Sequence, residues 1–267
     1  MPTSVGFIGA GAMGSAILRG LAGRNDLQLH AFDIDRDKLE ALSKEIGLTA
    51  YASAEELAAS CDIIVMAVKP QHLGAAAPVA AGAAKSGACL VSIAAGVTST
   101  TLREWTGGKL PVVRVMPNTP ALVRKGVFAV CLEDPLLSEE TAQTVLGLFE
   151  PLGQAHVLSE KQFDAFTAVI GSGPAYVLYF MEALIESAVS LGLPRDMATA
   201  MVLGLFEGTS AMALQSERHA SVLRELVTSP GGTTVRGLTH LDRCAVRAAI
   251  IDAAEAAFDR SVELGEE

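Results

Sequence analysis

VGFIGAGAMG, at residues 5–14, joins the end of a predicted strand to the beginning of a predicted helix. The run Val5–Ile8 carries no polar side chain, which is typical of a strand covered on both faces. The residues from Ala12 to Ala22 have the apolar spacing of a helix. The segment therefore predicts a strand, a tight turn and a helix, in that order.

The turn itself carries a G-x-G-x-x-G pattern. Gly9 suits the tight turn, Gly11 lets the backbone approach a pyrophosphate, and Gly14 allows the helix to pack closely on the strand. The free N–H groups at the start of the helix attract the anion. Because the pattern follows a strand and opens a helix, it favours a dinucleotide site over a merely tight turn. Its candidate cofactor-binding residues are Gly9, Ala10, Gly11, Ala12, Met13 and Gly14.

Asp33 follows the second predicted strand, nineteen residues after Gly14. An acid at this point accepts a hydrogen bond from the adenosine ribose 2′-OH and repels a 2′-phosphate, which favours NADH. Arg36 offers the opposite possibility, a cation for the 2′-phosphate of NADPH. Asp33 can also act as a helix N-cap, although Asp35 is better placed for that role. The sequence predicts NADPH or NADH as cofactor, with a preference for NADH.

The first half of the chain alternates strand-like and helical runs. Further apolar runs predict strands at Leu27–Phe32, Ile63–Val68, Ala88–Ile93, Val112–Met116 and Val127–Leu132. A helical run at Arg36–Ile46 and an alanine-rich segment at Leu73–Ala84 lie between strands. This alternation of apolar strands and helices predicts an α/β domain in which a parallel sheet is covered on both faces.

The second half of the chain is predicted to be all-α. Ser159 and Gln162 have the spacing of a capping box that opens its first helix. The helical runs are Gln162–Ile170, Ala175–Leu191, Arg195–Ala213, Ala220–Val227 and Arg243–Glu263. Gly and Pro interrupt them at Gly171–Pro174, Gly192–Pro194 and Ser229–Gly232. We therefore place an α/β domain at residues 1–158 and a helical domain at residues 159–267.

The composition argues against several classes of partner. Among 267 residues, 20 Lys and Arg stand against 30 Asp and Glu, which gives a formal net charge of −10. Nucleic acid and anionic membrane surfaces are therefore not expected partners, since both are bound by clustered basic residues. The two longest charge-free stretches, Ser86–Leu102 and Ala165–Met181, are interrupted by Gly, Ser or Pro and do not predict a membrane span.

The four cysteines predict no metal site and no redox pair. They lie too far apart in the sequence for a zinc clip or a CxxC motif. Cys61, Cys89 and Cys131 lie in or beside apolar runs, where a reduced cysteine acts as a small core residue. With no secretory signal indicated, the expected location is the cytoplasm.

Two further segments follow predicted strands, where ligands bind in an open α/β sheet. Ala67-Val68-Lys69-Pro70 closes one strand, and Lys69 is either a cofactor contact or a surface lysine ahead of a helix. Asn118 lies between two prolines after another strand. Its amide is a candidate contact for the cofactor's nicotinamide, and the alternative is a bond to the main chain.

The segment SPGGTT, from Ser229 to Thr234, opens a helix. Two glycines followed by two hydroxyl side chains can hold a carboxylate through backbone N–H groups and the threonine hydroxyls. The alternative is an ordinary helix start with a flexible entry loop. The sequence leaves both open.

The helical half lacks the usual base of an alcohol dehydrogenase. No lysine follows Lys161, and the histidines there are His219 and His240, neither with an acidic partner at motif spacing. Removal of an alcohol proton usually needs His or Lys. A protonated imine is already electrophilic, so positioning it against a nicotinamide provides much of the chemistry. These absences favour reduction of an imine.

Seven blocks resemble the pyrroline-5-carboxylate reductase family in order and spacing, along essentially the whole chain. In the first half they are Val5–Gly14, Ala67–Gln71 (AVKPQ), Ser92–Thr98 (SIAAGVT) and Arg114–Pro120 (RVMPNTP). In the second half they are Gly171–Tyr176 (GSGPAY), Gly192–Pro194 (GLP) and Ser229–Thr234 (SPGGTT). The last block is the most diagnostic.

The resemblance implies an N-terminal Rossmann domain and a C-terminal helical dimerisation domain. Subunits are expected to form at least a homodimer, and the resemblance also allows a larger ring such as a decamer. The implied reaction is NAD(P)H-dependent reduction of 1-pyrroline-5-carboxylate to L-proline, by hydride transfer to the imine carbon. Besides the glycine turn, the implied cofactor-binding residues are Asp33, Ala67, Val68, Lys69, Pro70, Ala94 and Ala95.

The resemblance also implies a substrate site between the helical domains of two subunits, against the nicotinamide. Thr234 and Glu217 are the candidate catalytic residues: the Thr234 hydroxyl contacts the ring nitrogen, and Glu217 tunes the charge near the iminium. The substrate carboxylate is held by the backbone of the loop. The implied substrate-binding residues are Glu217, Ser229, Gly231, Gly232, Thr233 and Thr234.

Two positions depart from the family pattern. Asp33-Ile34-Asp35 stands where many members carry Asn-Arg-Ser, so the cofactor preference does not transfer. Ser53 replaces a frequent Asn before the third helix. The alternative functions are reduction of another cyclic imine, a hydroxy-acid dehydrogenase, and a dinucleotide-binding regulator without turnover.

Overall fold

The computed structural model describes residues 1–266, in which an eight-stranded sheet is followed by helices. The strands are β1 (Thr3–Ile8), β2 (Leu27–Phe32), β3 (Thr49–Ala50), β4 (Ile63–Met66), β5 (Cys89–Ser92), β6 (Val112–Met116), β7 (Gly126–Cys131) and β8 (Gly153–Val157). The helices are α1 (Ala12–Leu21), α2 (Arg36–Ile46), α3 (Ala54–Ser60), α4 (Pro70–Ala83), α5 (Ser99–Trp105), α6 (Glu139–Phe149), α7 (Phe163–Phe166), α8 (Gly173–Ser190), α9 (Arg195–Leu214), α10 (Ala220–Glu225), α11 (Thr233–Arg243) and α12 (Val246–Glu266).

The strand order is β3-β2-β1-β4-β5-β6-β7-β8. The chain winds outward from β1 in one direction through β2 and β3, then crosses back to β4 on the other side of β1. In open α/β sheets, ligands bind outside the carboxyl ends of the strands at such a reversal. The turn after β1 and the segment after β4 lie side by side at this point, since Ile8 pairs with Met66.

The sheet is parallel except at one pair. β6 and β7 run antiparallel, whereas β7 and β8 are parallel again. Only the short 3₁₀ turn Thr119–Val123 connects β6 to β7, and a parallel pair needs a crossover of about a dozen residues or more. The predicted α/β fold with a Rossmann-type sheet is confirmed, but the expectation of a wholly parallel sheet is wrong at this pair.

Both faces of the sheet are covered, as the apolar strands predicted. Alternate residues of one strand enter different clusters: Val65 packs in one core and Ile64 with Met66 in the other. β2, α2 and β6 have the predicted bounds. Strand β4 ends at Met66 rather than Val68. The sequence did not predict β3, β8, α5 and α6, and α3 was implied only by the family pattern at Ser53.

The predicted capping box is present, since the Ser159 N–H donates to Gln162 Oε1 over 3.2 Å. The predicted break at Gly171–Pro174 is wrong. The helical stretch continues through a π turn at Thr167–Gly171, in which the Ser172 N–H donates to the Thr167 carbonyl over 2.9 Å. Pro174 has no N–H to donate within this stretch, and the Ile170 carbonyl, one turn before it, accepts from Asn118 Nδ2 instead.

The last helix begins slightly later than predicted. The predicted run starts at Arg243, where α11 ends, and α12 begins at Val246. Ala245 lies between them with φ of 55°, in the left-handed region that ends a helix. The breaks expected at Gly192–Pro194 and Ser229–Gly232 are confirmed.

The chain forms two compact units: residues 1–172 together with 257–267, and Gly173–Ala256. In the second unit, which is fully described, the buried side chains are Ala198, Val202 and Leu223. The domain boundary at residue 158 stays a prediction.

Two helical stretches, Glu160–Ser190 and Arg195–Leu214, are long and apolar enough to cross a membrane by length and composition alone. The sequence predicted no membrane span at either charge-free stretch, and one of them, Ala165–Met181, lies within the first of these helical stretches. Within one copy of the chain their most apolar windows are only 6% and 11% buried. One or two such helices are weak evidence for a membrane protein. The exposed apolar faces of these two helices therefore call for another explanation.

The cysteines are reduced in the structure, as expected. Cys61, Cys89 and Cys131 are buried, and Cys244 is exposed. Burial raises the pKa of the Cys61 and Cys89 thiols to about 12. Among residues 1–266, no group of three or more His, Cys, Asp or Glu side chains is placed to bind a metal ion.

Candidate functional site

The turn between β1 and α1 has the geometry of an anion cradle. Gly9 has φ of 102°, and a methyl group there would lie 2.7 Å from the Ala67 carbonyl oxygen. A methyl group on Gly14 would lie 2.5 Å from the Gly9 carbonyl oxygen. At Gly11, by contrast, nothing lies within 4 Å of the added atom. Two glycines are therefore required by packing, and the third leaves open space.

The start of α1 faces this space without a capping side chain. Gly11 is the N-cap residue and makes no side-chain cap hydrogen bond. The first N–H groups of a helix have no partner within the helix and carry its positive partial charge. The open space at Gly11 and the uncapped helix start fit a pyrophosphate.

Asp33 fastens the glycine turn to the end of β2. Its Oδ2 accepts the Ala10 N–H over 2.5 Å, and its Oδ1 accepts the Asp35 N–H over 2.9 Å. Asp35, not Asp33, caps α2 by accepting the Lys38 N–H, so the expectation that Asp35 is better placed as the N-cap is confirmed. A carboxylate has four acceptor positions, which leaves Asp33 able to accept from a ribose hydroxyl as well.

Arg36 is engaged by the main chain of the neighbouring loop. Its guanidinium donates to the carbonyls of Tyr51 and Ala52, over 3.1 Å and 2.5 Å, and lies 5.7 Å from the centre of the Phe32 ring. Ser53, next in that loop, caps α3 by accepting the Glu56 N–H. A 2′-phosphate would have to compete with these carbonyls for the Arg36 cation.

The other cofactor candidates of the first unit lie at the carboxyl ends of β4 and β5. Ala67 and Val68 are half-buried, and Lys69 is the exposed N-cap residue of α4, with Pro70 as its first helical residue. Ala94 is buried, and its N–H donates to Ser92 Oγ over 3.3 Å. Ala95, which follows it, is half-buried. These strand ends are neighbours in the sheet, so topology brings the segments to one edge.

Asn118 bonds to the main chain at both ends of its amide. Its Oδ1 accepts the Val127 N–H over 2.9 Å, and its Nδ2 donates to the Ile170 carbonyl over 3.2 Å. Of the two roles left open by the sequence, the structure shows the main-chain one. A contact between this amide and the cofactor stays a prediction.

The substrate candidates lie in the second unit. Glu217 is exposed in the loop between α9 and α10. In the Ser229–Thr234 loop, Gly231 has φ of 70° and the Gly232 N–H donates to the Ser229 carbonyl over 3.1 Å. Gly232 is the N-cap of α11 and makes no side-chain cap bond. Thr233 is exposed and Thr234 half-buried in the first turn of that helix, where hydroxyls and free N–H groups occur together.

The second unit also carries an apolar groove of about 750 Å³. Its lining is almost entirely hydrophobic and includes Tyr176, Tyr179, Phe180, Ala183, Leu184, Phe206, Leu241, Cys244, Val246, Ala249, Ile250 and Ala253. A patch of this kind on a single chain marks an interaction surface.

Sequence reasoning missed a buried ion pair in the first unit. Arg114 is 5% exposed, lies 4.7 Å from the centre of the Phe163 ring, and donates to Glu160 Oε1 over 3.0 Å. The same oxygen accepts the Ser99 N–H over 2.7 Å. Arg114 stands in an apolar strand, which is the one signal that could have indicated a buried partner.

Family models match both parts of the chain. One described as "NADP oxidoreductase coenzyme F420-dependent" matches residues 4–96, and one described as "Pyrroline-5-carboxylate reductase dimerisation" matches residues 160–264. The pyrroline-5-carboxylate reductase of Escherichia coli (strain K12) is 37% identical over 267 residues, with 99% of each chain covered. This chain belongs to the pyrroline-5-carboxylate reductase family. The resemblance predicted from seven short blocks is confirmed.

Solved structures of the family have the same fold. The pyrroline-5-carboxylate reductase of Coxiella burnetii matches with a TM-score of 0.92 and 30% identity, over 99% of each chain. The pyrroline carboxylate reductase of Plasmodium falciparum, solved with NADP bound, matches with a TM-score of 0.88 and 34% identity, over 98% of each chain. The expected pairing of a Rossmann-type domain with a helical dimerisation domain is thus confirmed.

The apolar faces of the helices fall within the family's dimerisation domain. The dimerisation model covers both helical stretches of membrane-spanning length and the whole apolar groove. The chain associates into oligomers, which bury surface that one copy exposes. These apolar faces therefore lie within the part of the chain that matches a dimerisation domain.

Proposed function

We propose that this chain reduces 1-pyrroline-5-carboxylate to L-proline with NAD(P)H, the last step of proline biosynthesis. The observation that carries the proposal is the identity to named reductases over 99% of the chain, which includes both the glycine turn and the SPGGTT loop. The chain is an oxidoreductase, and its substrate is a small molecule. The alternative dehydrogenase activity lacks support, because no lysine follows Lys161.

The first unit holds the dinucleotide. The pyrophosphate fits the open space at Gly11, against the uncapped start of α1. The segments Ala67–Pro70 and Ala94–Ala95 line the same edge of the sheet. When bound, the reduced dinucleotide supplies the hydride that the imine carbon accepts. The chain's own part is to hold and orient it.

NADH is the proposed preferred cofactor. Asp33 places a carboxylate at the end of β2, where it attracts a ribose 2′-OH and repels a 2′-phosphate. Arg36, the cation nearest in sequence, already donates to the Tyr51 and Ala52 carbonyls. Both features favour a cofactor without the extra phosphate, although the Plasmodium falciparum relative was solved with NADP.

The second unit holds the substrate. Backbone N–H groups of Ser229–Gly232 and the start of α11 bind the carboxylate, because an uncapped helix start attracts an anion. The Thr234 hydroxyl orients the ring nitrogen, and Thr233 adds a second hydroxyl. Glu217 adds negative charge near the iminium, which stabilises the protonated and more electrophilic form of the imine.

The assembly is proposed to be a homodimer at least, and rings such as a decamer are built from that unit. The apolar groove and the faces of α8 and α9 form the contact between copies. A net charge of −10 opposes binding to nucleic acid and to anionic membranes. The protein is proposed to be soluble and cytoplasmic.

The test is the absorbance of reduced nicotinamide with the purified full-length chain. We expect oxidation that depends on 1-pyrroline-5-carboxylate, with a lower KM for NADH than for NADPH. A small hydroxy acid with the oxidised cofactor is the matched control and should give no reaction. Absence of substrate-dependent oxidation with either cofactor contradicts the proposed function. A lower KM for NADPH contradicts only the cofactor preference.

A further inference from the structure

The segment Ile93–Thr98 joins β5 to α5 and carries Ala94 and Ala95, two residues of the proposed cofactor site. Loops of this kind are mobile unless other parts of the chain hold them. Here the segment is contacted by two parts of the chain that are distant in sequence, the capping segment after Ser159 and the end of α12.

Glu160 holds one end of the segment. Its Oε1 accepts the Ser99 N–H, at the first residue of α5, over 2.7 Å. The same oxygen accepts from Arg114, whose guanidinium is buried against the Phe163 ring. A carboxylate that receives a guanidinium and a backbone N–H is fixed in position. The end of the segment is fixed with it.

The end of α12 meets the middle of the segment. Gly96 has φ of 73°, and a methyl group there would lie 3.2 Å from the Leu264 carbonyl oxygen and 3.3 Å from Leu264 Cβ. A side chain at Gly96 would therefore push the helix end away. The glycine allows close approach between a helix end and the loop that carries Ala94 and Ala95.

A partly buried hydrogen bond fixes the end of α12 in turn. The Ser261 hydroxyl donates to Asp164 Oδ1 over 2.7 Å, and Ser261 is 5% exposed. Asp164 lies in α7, four residues after Glu160. One short stretch, Glu160–Asp164, thus holds the Ile93–Thr98 segment at Ser99, the residue that follows it, and indirectly through α12.

We propose that Glu160, Asp164 and Ser261 are positioning residues that set where Ala94 and Ala95 meet the nicotinamide cofactor. The proposal rests on the proposed function for the identity of the ligand. These residues touch no reacting atom, so losing one weakens cofactor binding equally in the ground and transition states. A loss of that kind raises KM for the cofactor and leaves kcat unchanged.

The experiment compares Ser261→Ala, Asp164→Ala and the double variant in the full-length chain. We expect each single variant to raise the KM for the cofactor roughly three- to tenfold, with kcat within about twofold of wild type. The double variant should be no worse than either single one, because both remove the same bond. Ser261→Thr keeps the hydroxyl and should restore the KM.

Amide hydrogen exchange over residues 93–99, without substrate or cofactor, is the second measurement. We expect faster exchange there in Ser261→Ala and Asp164→Ala, and wild-type exchange in Ser261→Thr. Thr144→Ala is the matched control, since it removes a hydroxyl bond to the Glu140 carbonyl on α6, away from the segment. Because two variants break the same bond from opposite sides, the test can be completed with whichever of them folds.

Unchanged exchange over residues 93–99 in both alanine variants would overturn the proposal. An equal rise in cofactor KM in Thr144→Ala would overturn it too, since the effect would then be general. If the wild type does not reduce 1-pyrroline-5-carboxylate, the proposed function fails, and the exchange data still decide whether these residues hold the segment.

Discussion

The two units of the chain differ in how they are stabilised. The sheet unit buries apolar side chains on both faces, whereas Gly173–Ala256 buries only Ala198, Val202 and Leu223 and exposes a large apolar groove. A helical segment with so little core cannot offset the conformational entropy of folding by itself. We expect the first unit to rely on its own core and the second to be completed by another copy, as in the proposed homodimer.

The largest expected effect comes from a charge in the groove. Leu184→Glu would place a carboxylate on the surface proposed to meet another copy, and burying that charge is costly. We expect the association constant to fall by at least about 10²-fold and activity to fall with it, as measured by light scattering and steady-state rates. Leu136→Glu is the control, an exposed leucine of the first unit, and should leave mass and activity unchanged.

A smaller effect is expected at the proposed catalytic threonine. Thr234→Ala removes the hydroxyl assigned to the ring nitrogen and should lower kcat/KM by roughly 10²-fold, the usual loss for one donor that orients a reacting group. The oligomer should be unaffected, because the change is one hydroxyl at the start of α11. Thr234→Ser retains the hydroxyl and should keep most of the activity. Near wild-type kcat/KM in Thr234→Ala would show that the role is misassigned.

The glycine turn allows packing and binding to be separated within the first unit. Gly14→Ala puts a methyl group against the Gly9 carbonyl oxygen and should destabilise the fold by about 1–3 kcal/mol. In Gly11→Ala the added methyl group enters open space, and φ of −61° is allowed for alanine. The melting temperature should therefore equal that of the wild type. The added methyl group occupies the pyrophosphate position, and the KM for the cofactor should rise roughly tenfold. Equal melting temperatures for the two variants would contradict this division.

The smallest effect concerns the thiols. Burial raises the pKa of Cys61 and Cys89 to about 12, so both stay protonated at mildly alkaline pH and should resist alkylation, which needs the thiolate. Cys244 lines the groove and is exposed in one copy, so the proposed contact between copies should protect it. Mass spectrometry after brief alkylation should find Cys244 unmodified in the wild type and modified in Leu184→Glu. Modified Cys61 or Cys89 in the folded wild type would contradict the burial assigned to the first unit.

The same contrast explains what the sequence could predict. β2, α2 and β6 have the predicted bounds because their apolar pattern is satisfied within the chain. β8 was missed because it is an edge strand, GQAHV, whose Gln154 and His156 break the apolar run. The continuation of the helix through Gly171–Pro174 was not predicted, because two glycines and a proline so close together are typical of a break.

The site was predicted only where its signal is local. The glycine turn and Asp33 lie within one strand–turn–helix–strand unit, so spacing identifies them. The hydrogen bond between Asp164 and Ser261 joins residues 97 positions apart, so no local sequence pattern predicts it. The role of Asn118 was ambiguous because its two main-chain partners lie elsewhere in the fold. Val127 lies in the antiparallel strand β7, and Ile170 lies in the π turn.

The most direct test is to sediment the full-length chain in the centrifuge while it catalyses the reaction. The mass of the active species is obtained from the rate at which the zone of nicotinamide oxidation moves. We expect the species that oxidises the cofactor in the presence of 1-pyrroline-5-carboxylate to have at least twice the 27.7 kDa mass of one chain. Turnover by a species of 27.7 kDa would contradict the claim that the helical unit is completed by another copy.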